Sequence, residues 1–454
     1  MLLTLVGAEV APGQAGGGSS DFGGGAGGGG GGGGGDFGSG GGSSGDGEGG
    51  SPLVLLAVGA VFVAFFLLRT ARGRDLLASL LSAVRRKLRR KRVREVGLAA
   101  AEAAEDDERF SPQEVRSVAE ELFREVQLAW DARDAARLAA LLGSDLLVEW
   151  ERRLADFDRK GWHSRAEVIG DVQFEYVGLS NREGESEDRV IVLIEAVLRA
   201  YVEDRGGRRI YRKGESDDTI RLSQYWTLGV REGRWILVSI EERSEGEHHL
   251  AEPITASPWS DTEHVRDEAV IEAAAADELP TGFKPADLAD LDFDGDARAA
   301  ALDLSLADPR FAPDVLEAAA RQFVEAWAEA VDGDDTALAE LAGEPALRRL
   351  LHRGDDSKKT RLVVRGLGVR RIAIVALDAA AEPATVTIEV QLSGRRYVED
   401  RDTAAVLSGS RNEAMTFTER WTLSLDGSDS SPWRIAAVSD AGAEPAGSPG
   451  AGSG

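Results

Sequence analysis

The chemistry open to this chain of 454 residues is set by five histidines, many carboxylates and no cysteine. Without a thiol there is no disulfide, no thiolate metal site and no cysteine nucleophile. The histidines are His163, His248, His249, His264 and His352. His248 and His249, followed by Glu252 and His264, have the residue types of a metal site. They lack the i, i+4 spacing that sets two imidazoles on one helical face, so they are expected to be solvated and no metal is assigned. Asp292, Asp294 and Asp296 resemble the start of a calcium loop, but Gly295 is out of place and no glutamate stands at the twelfth position. No phosphate-cradling loop or nucleophile turn occurs outside a glycine tail that contains such strings by composition. No catalytic residue and no cofactor is assigned.

The residues best suited to binding are aromatic. Trp162, Tyr176, Tyr225 and Trp226 form a candidate pocket for an apolar ligand or a hydrophobic segment of a client protein, with Trp162 nearest its mouth. Trp130 and Trp235 belong to the same aromatic set, most of which is expected in a core. Within Val190–Val202 the alternation puts Val192, Ile194, Ala196 and Leu198 on one face, and Leu193, Glu195, Val197, Arg199 and Tyr201 on the other. Glu195 joins the candidate pocket as a buried acid; the alternative is a half-exposed strand position paired with an arginine across the sheet. Tyr201 joins it as the first residue of Tyr201-Val202-Glu203-Asp204-Arg205, a pentapeptide that recurs.

The recurrence is Tyr397-Val398-Glu399-Asp400-Arg401. It is not isolated: Trp226-Thr227-Leu228 returns as Trp421-Thr422-Leu423, Trp235 as Trp433, and Phe110 as Phe311. Phe123, Asp134, Leu138, Leu141 and Gly143 match Phe323, Asp334, Leu338, Leu341 and Gly343. Matches in one order at a nearly constant offset mean a duplicated domain. The pentapeptide reads as a repeated recognition patch or as a structural corner, with tyrosine in the core and glutamate pairing with arginine across a hairpin; the corner is preferred.

These residues need elements to place them. Ser111 and Pro112 supply a cap and a first helical residue, and Val115, Val118, Ala119, Leu122, Phe123, Val126 and Trp130 recur with helical period. Further helices are expected from Asp134 and over Leu146–Leu154. Then the period falls to two, with strands expected at Arg165–Leu179, Arg189–Glu203, Asp218–Arg231 and Arg234–Arg243. Helices followed by an antiparallel meander are α+β order. The domains are placed at 110–246 and 310–440. Between them lies 247–309, read as an acidic linker with a short helix at Trp259–Ala276. Residues 1–51 and 441–454 are expected to be disordered.

Charge and hydropathy then place the chain. No lysine or arginine occurs before Arg69, and an uncharged apolar run fills 52–68. About 17 residues at ~1.5 Å each span ~26 Å, enough for one transmembrane helix. Basic residues crowd in behind it, with Arg85, Arg86, Lys87, Arg89, Arg90, Lys91 and Arg92 on an amphipathic arm and spacer helix over 69–109. This arm is expected to rest on anionic lipid and to hold both domains in the cytoplasm, with the N-terminus outside. The net charge of −26 argues against a nucleic-acid partner.

A glycine-rich start, one span, a basic arm and a helix-pair-then-sheet domain ending in Tyr225-Trp226-Thr227-Leu228 and Gly233-Arg234-Trp235 resemble bacterial Tim44-like domain proteins, relatives of the subunit that tethers the mitochondrial import motor to the inner membrane. The resemblance covers Phe110–Arg243 and, more loosely, Phe311–Asp440. It implies cones, each a helix pair wrapped by a bent antiparallel sheet as in nuclear-transport-factor-two-like proteins, two of them here behind the transmembrane helix expected at 52–68. It also implies membrane association and protein binding without catalysis. The rival is a cone-fold enzyme or a binder of a lipid-like small molecule. The chain departs from the mitochondrial pattern in the expected true transmembrane helix and in carrying the domain twice.

Overall fold

The computed structural model describes residues 15–20, 22, 71–182, 184–212, 218–260, 292–427 and 432–440, with side chains from residue 86 onward in the first helix. Residues 95 onward, with the described part of 1–23, form one compact unit; residues 24–94, described from 71, form another. The expected span at 52–68, most of the tail, most of the helix expected at Trp259–Ala276, His264 and residues 441–454 lie outside the described residues. Among the described residues no helix is long and apolar enough to cross a membrane.

Two α+β lobes follow one plan. In the first, α1 (Ala71–Asp106) leads to α2 (Pro112–Ala132), α3 (Ala135–Leu141) and α4 (Ser144–Lys160). The Ser111 hydroxyl accepts from Glu114 N at 3.3 Å and Pro112 opens α2; Asp134 accepts from Arg137 N at the start of α3. Gly161, at φ 68°, ends α4 in the left-handed conformation that glycine adopts at least cost. The sheet beyond it is β1 (Trp162–Val168), β2 (Gln173–Ser180), β3 (Arg189–Asp204), β4 (Arg209–Ile210), β5 (Thr219–Arg231) and β6 (Arg234–Glu242). Its order is β1-β3-β5-β6. β1 pairs with the second half of β3 and β2 with the first half, so the single strand expected over Arg165–Leu179 is two, separated by a turn with Gly170 at φ 84°.

The second lobe has α5 (Ala297–Ser305), α6 (Pro313–Asp332), α7 (Thr336–Leu341) and α8 (Glu344–His352), preceded by the short β7 (Asp292–Phe293). Its sheet is completed by β8 (Thr360–Asp378), β9 (Thr385–Asp400), β10 (Val406–Gly409), β11 (Met415–Ser424) and β12 (Arg434–Asp440), in the order β12-β11-β9-β8-β7. Here β8 runs unbroken where the first lobe has β1 and β2, and three register shifts bend it against β9.

The inward face of β3 is the expected one: Val190, Val192, Ile194, Ala196, Leu198, Ala200 and Val202 all enter the first core. Val386, Ile388, Val390 and Leu392 do the same in the second. The duplication reaches single contacts. Trp235 Nε1 donates to the Arg109 carbonyl and Trp433 Nε1 to the Arg310 carbonyl, each at 3.2 Å, while Phe110 and Phe311 meet these indoles edge-on at 5.5 and 5.4 Å.

Three expected boundaries move. α1 is one helix across the arm and spacer, and Val96, Ala100 and Ala103 at its end are buried in the first core, so the lobe begins before residue 110. α5 lies in the supposed linker, yet Ala297 and Ala301 enter the second core. Residues 246–257 are not linker either. Asn181 N donates to the Thr255 carbonyl and Asn181 Nδ2 to that of Ala256, and Thr255 and Ala256 are buried.

Residues 15–20 and 22 are a correction as well. Ala15 and Phe22 are buried in the first core, and the glycines between them allow close backbone approach. Gly16, at φ 78°, lies so near the Trp150 indole that a Cβ would come within 2.4 Å of it, and a Cβ on Gly18 would come within 2.0 Å of the Thr403 carbonyl. Ala15 N donates to Gln127 Oε1, and Ser20 N to the Thr403 carbonyl. The segment thus touches both lobes.

Candidate functional site

The six residues of the expected pocket do not converge. Trp226 is core, 5.3 Å from Phe123 between ring centres. Tyr176 packs at the edge of the same core; its hydroxyl has no hydrogen-bond partner, and burial pushes its pKa above the ordinary tyrosine value. Tyr225 is buried on the opposite face of the sheet, against Gly246 and His249. Glu195 is half-buried and accepts from Arg243 Nη1 at 2.8 Å, the paired strand position rather than an acid in a cavity. Alternation along β3 and β5 sends neighbours to opposite faces, so Tyr225 and Trp226 cannot share a pocket.

Trp162 and Tyr201 do sit beside open clefts, and these are lined by charge. Trp162 borders a cleft of about 390 Å³ with Arg133, Asp158, His163, Glu203 and Arg205. Tyr201 lies under the Arg209 guanidinium, 4.2 Å from its ring centre, beside a cleft of about 440 Å³ between α2 and β1 that includes Arg124, Asp131, Arg165 and Arg199. Glu203 accepts from Arg165 Nε at 3.4 Å. Tyr201 is therefore not in the core, against the preferred corner reading; Val202 is. The aromatic residues could be read from sequence, but not the guanidiniums around them, which come from four separate elements.

The second copy of the pentapeptide lies in the seam between the lobes. Tyr397 donates from its hydroxyl to Glu245 Oε1 at 3.1 Å. Glu399 accepts from Arg153 Nη2 at 2.5 Å, and Arg401 Nε stands 3.6 Å from Glu149 Oε1. Tyr397, Glu399 and Arg401 are all buried, against α4 and the turn after β6 of the first lobe. Beside them Arg152 bonds Asp402 at 2.8 Å, and Arg365 bonds Asp332 and reaches Ser239 Oγ at 3.1 Å. Asp335 N donates to Asp145 Oδ2 at 2.9 Å; burial, then the neighbouring Asp335 carboxylate, pushes the Asp145 carboxyl up to about 7.

The histidines also depart from expectation. His249 and His352 are buried, not solvated. His352 Nδ1 lies 2.7 Å from the Thr360 carbonyl, and burial pushes its pKa down to about 4. His163 Nε2 is 2.8 Å from the Asp131 carbonyl. His248 and His249 occupy a 3₁₀ turn (Gly246–Leu250) and stack at 4.0 Å between ring centres, beside Glu241 and Glu252. No spacing rule could have found this group, because Glu241 comes from a strand and the rings from a turn.

Of the arm residues, Arg86, Lys87, Arg90 and Lys91 are exposed and Arg89 is half-buried. Arg92 is buried, so it does not present its charge at the surface as expected. The Arg85 side chain lies outside the described residues.

Residues 96–242 and 298–440 match the family model described as the Tim44-like domain. Among solved structures the chain is similar to the intermembrane space region of the chloroplast protein ARC6, at 12% identity over 27% of this chain and 92% of that one, with a TM-score of 0.22. It is also similar to an Ntf2-like protein involved in plasmid conjugation, at 11% identity over 67% of this chain and 86% of that one, with a TM-score of 0.16. No curated protein matches it.

Proposed function

The chain belongs to the Tim44-like domain family through both of its lobes, and from that premise we propose that it is a non-catalytic scaffold, tethered to a membrane, that docks a partner protein on the open edge of its first lobe. One observation carries this reading. The same pentapeptide is a protein-binding surface in the second lobe, where Glu399 and Arg401 meet α4 and Tyr397 bonds Glu245 in the turn after β6, and is open in the first, where Tyr201, Glu203 and Arg205 border charged clefts. The partner chemistry follows from the seam: a helix bearing carboxylate and guanidinium one turn apart, as Glu149 and Arg153 do. An apolar ligand suits these clefts poorly, because covering their guanidiniums and carboxylates costs more in desolvation than a small apolar contact returns.

The tether is the apolar run at 52–68 with the exposed arginines and lysines behind it, each contributing about 1 kcal/mol on an anionic leaflet. The lobes then face the cytoplasm by the positive-inside bias. A single crossing and the docked segment at 15–22 exclude each other, since one crossing puts that segment across the bilayer from the lobes. The tethered form is the one in which the segment has left the seam.

A photo-crosslinker in place of Trp162, in native membranes, tests the docking edge. Polypeptide adducts lost on Tyr201→Ala are expected. Adducts to lipid or small molecules alone would overturn the scaffold reading.

A further inference from the structure

Glu241 lies next to the end of β6 and is 1% exposed, a costly place for a carboxylate. Its two oxygens face two imidazoles: Oε1 is 3.2 Å from His249 Nε2, and Oε2 is 3.6 Å from His248 Nδ1. Oε2 has no hydrogen-bond partner. One ligand atom from each of Glu241, His248 and His249 lies within 4.8 Å of the others. The edge of a tetrahedron with ~2.0 Å metal bonds is about 3.3 Å, so the two carboxylate–imidazole separations, 3.2 and 3.6 Å, are close to those of ligands around one small ion.

Glu252 stands behind the rings. Its Oε2 is 2.7 Å from His249 Nδ1 and its Oε1 is 3.2 Å from His248 Nε2. Each ring thus has one nitrogen towards Glu241 and the other held by a carboxylate, the arrangement that fixes tautomer and orientation in histidine-ligated metal sites. His248 Nδ1 also lies 2.8 Å from the Glu245 carbonyl, an interaction the ion would replace. Glu245 and Asp332 add carboxylates to the surroundings, and the Arg365 guanidinium, 3.5 Å from Glu241 Oε1, closes the group from the second lobe and is the positive charge an ion would have to share it with.

We propose that Glu241, His248 Nδ1 and His249 Nε2 bind a divalent metal ion of the zinc class, with Glu252 holding both rings from behind and a fourth position left for water. Two imidazoles and a carboxylate suit zinc, or cobalt as its spectroscopic substitute, better than calcium or magnesium, which take oxygen ligands. The ion would take the place of ring protons, so binding would weaken as pH falls.

Titration of the full chain with Zn²⁺, followed by calorimetry, tests this, with Co²⁺ absorption as a second reading. One ion per chain is expected, with the intense visible bands of a four-coordinate Co²⁺ site. His248→Gln, at a half-buried position, should weaken binding at least tenfold while the folded circular-dichroism spectrum is kept. Glu252→Gln should weaken it about tenfold with the stoichiometry unchanged. His163→Gln should change nothing. Unchanged affinity in His248→Gln, or no binding at millimolar Zn²⁺, would overturn the site.

Discussion

Asp145 shows how a residue on the seam responds to pH. It faces the Asp335 backbone N–H and carboxylate, and its folded pKa of about 7 lies far above the ordinary aspartate value of 3.8. A carboxyl with a raised folded pKa holds its proton more tightly in the native state. Its contribution is therefore whole below the unfolded pKa near 4 and is lost as pH rises through about 7. An asparagine amide at this position would keep the acceptor for Asp335 N and donate where the protonated acid does, without ionising. We expect Asp145→Asn to be more stable than the parent at pH 8, by roughly 1–3 kcal/mol, with the advantage gone at pH 4. Denaturant unfolding at the two pH values measures it; an equal difference at both would show that ionisation of Asp145 does not act on the seam. His352 runs the other way: with its folded pKa near 4, it favours the native state above the ordinary histidine value and opposes it as pH falls from there towards 4.

Among the elements, α1 and the pentapeptide strands carry the main lessons. Ala100 and Ala103 are alanines one turn apart, and small side chains let a helix approach a core closely. The sequence places them in an Ala/Glu-rich stretch that reads as a solvated spacer, because alanine carries almost no periodic hydropathy signal. Only the packing shows which alanines face the core. Ala100→Glu puts an unpaired carboxylate at a fully buried position, and a loss of at least about 3 kcal/mol in first-lobe stability is expected. Glu102 is exposed on the same helix, and Glu102→Ala should stay within about 0.5 kcal/mol. If Ala100→Glu were equally silent, the helix end would not belong to the lobe. The strands make the complementary point. β3 and β9 put the same five residues at their ends, yet Tyr201, Glu203 and Arg205 are left at least partly exposed while Tyr397, Glu399 and Arg401 are buried. Sequence identity fixed their local direction; what covers them depends on α4, an element of the other lobe.

For the whole molecule, the seam and the first residues of the chain decide how the lobes are used. Ser19 Oγ lies 2.6 Å from Lys160 Nζ, and the chain has no cysteine to compete in a thiol experiment. With Ser19→Cys and Lys160→Cys together, a short bifunctional thiol reagent should join the two sites in the aqueous protein. In the carbonate-resistant membrane fraction the cross-link should disappear, because one crossing at 52–68 separates the two sites by the bilayer. Full cross-linking in that fraction would rule out a single crossing. The seam itself is ionic, and buried ion pairs contribute more to the specificity of docking than to net stability. Arg153 with Glu399, and Arg365 with Ser239 and Glu241, are the polar contacts that join one lobe to the other.

The sequence alone established the duplication, the order of helices and strands in the first lobe, the inward face of β3, and the family resemblance. These rest on local period and on repeated spelling, which are properties of the chain before it folds. Only the tertiary structure decided that the two pentapeptides differ in use, that Tyr225 and Trp226 part to opposite faces, and that Glu241 meets His248 and His249. Each of those outcomes joins residues from separate elements, or depends on which of two faces a neighbour covers. Such contacts are set by packing across the fold, and no spacing along the chain encodes them.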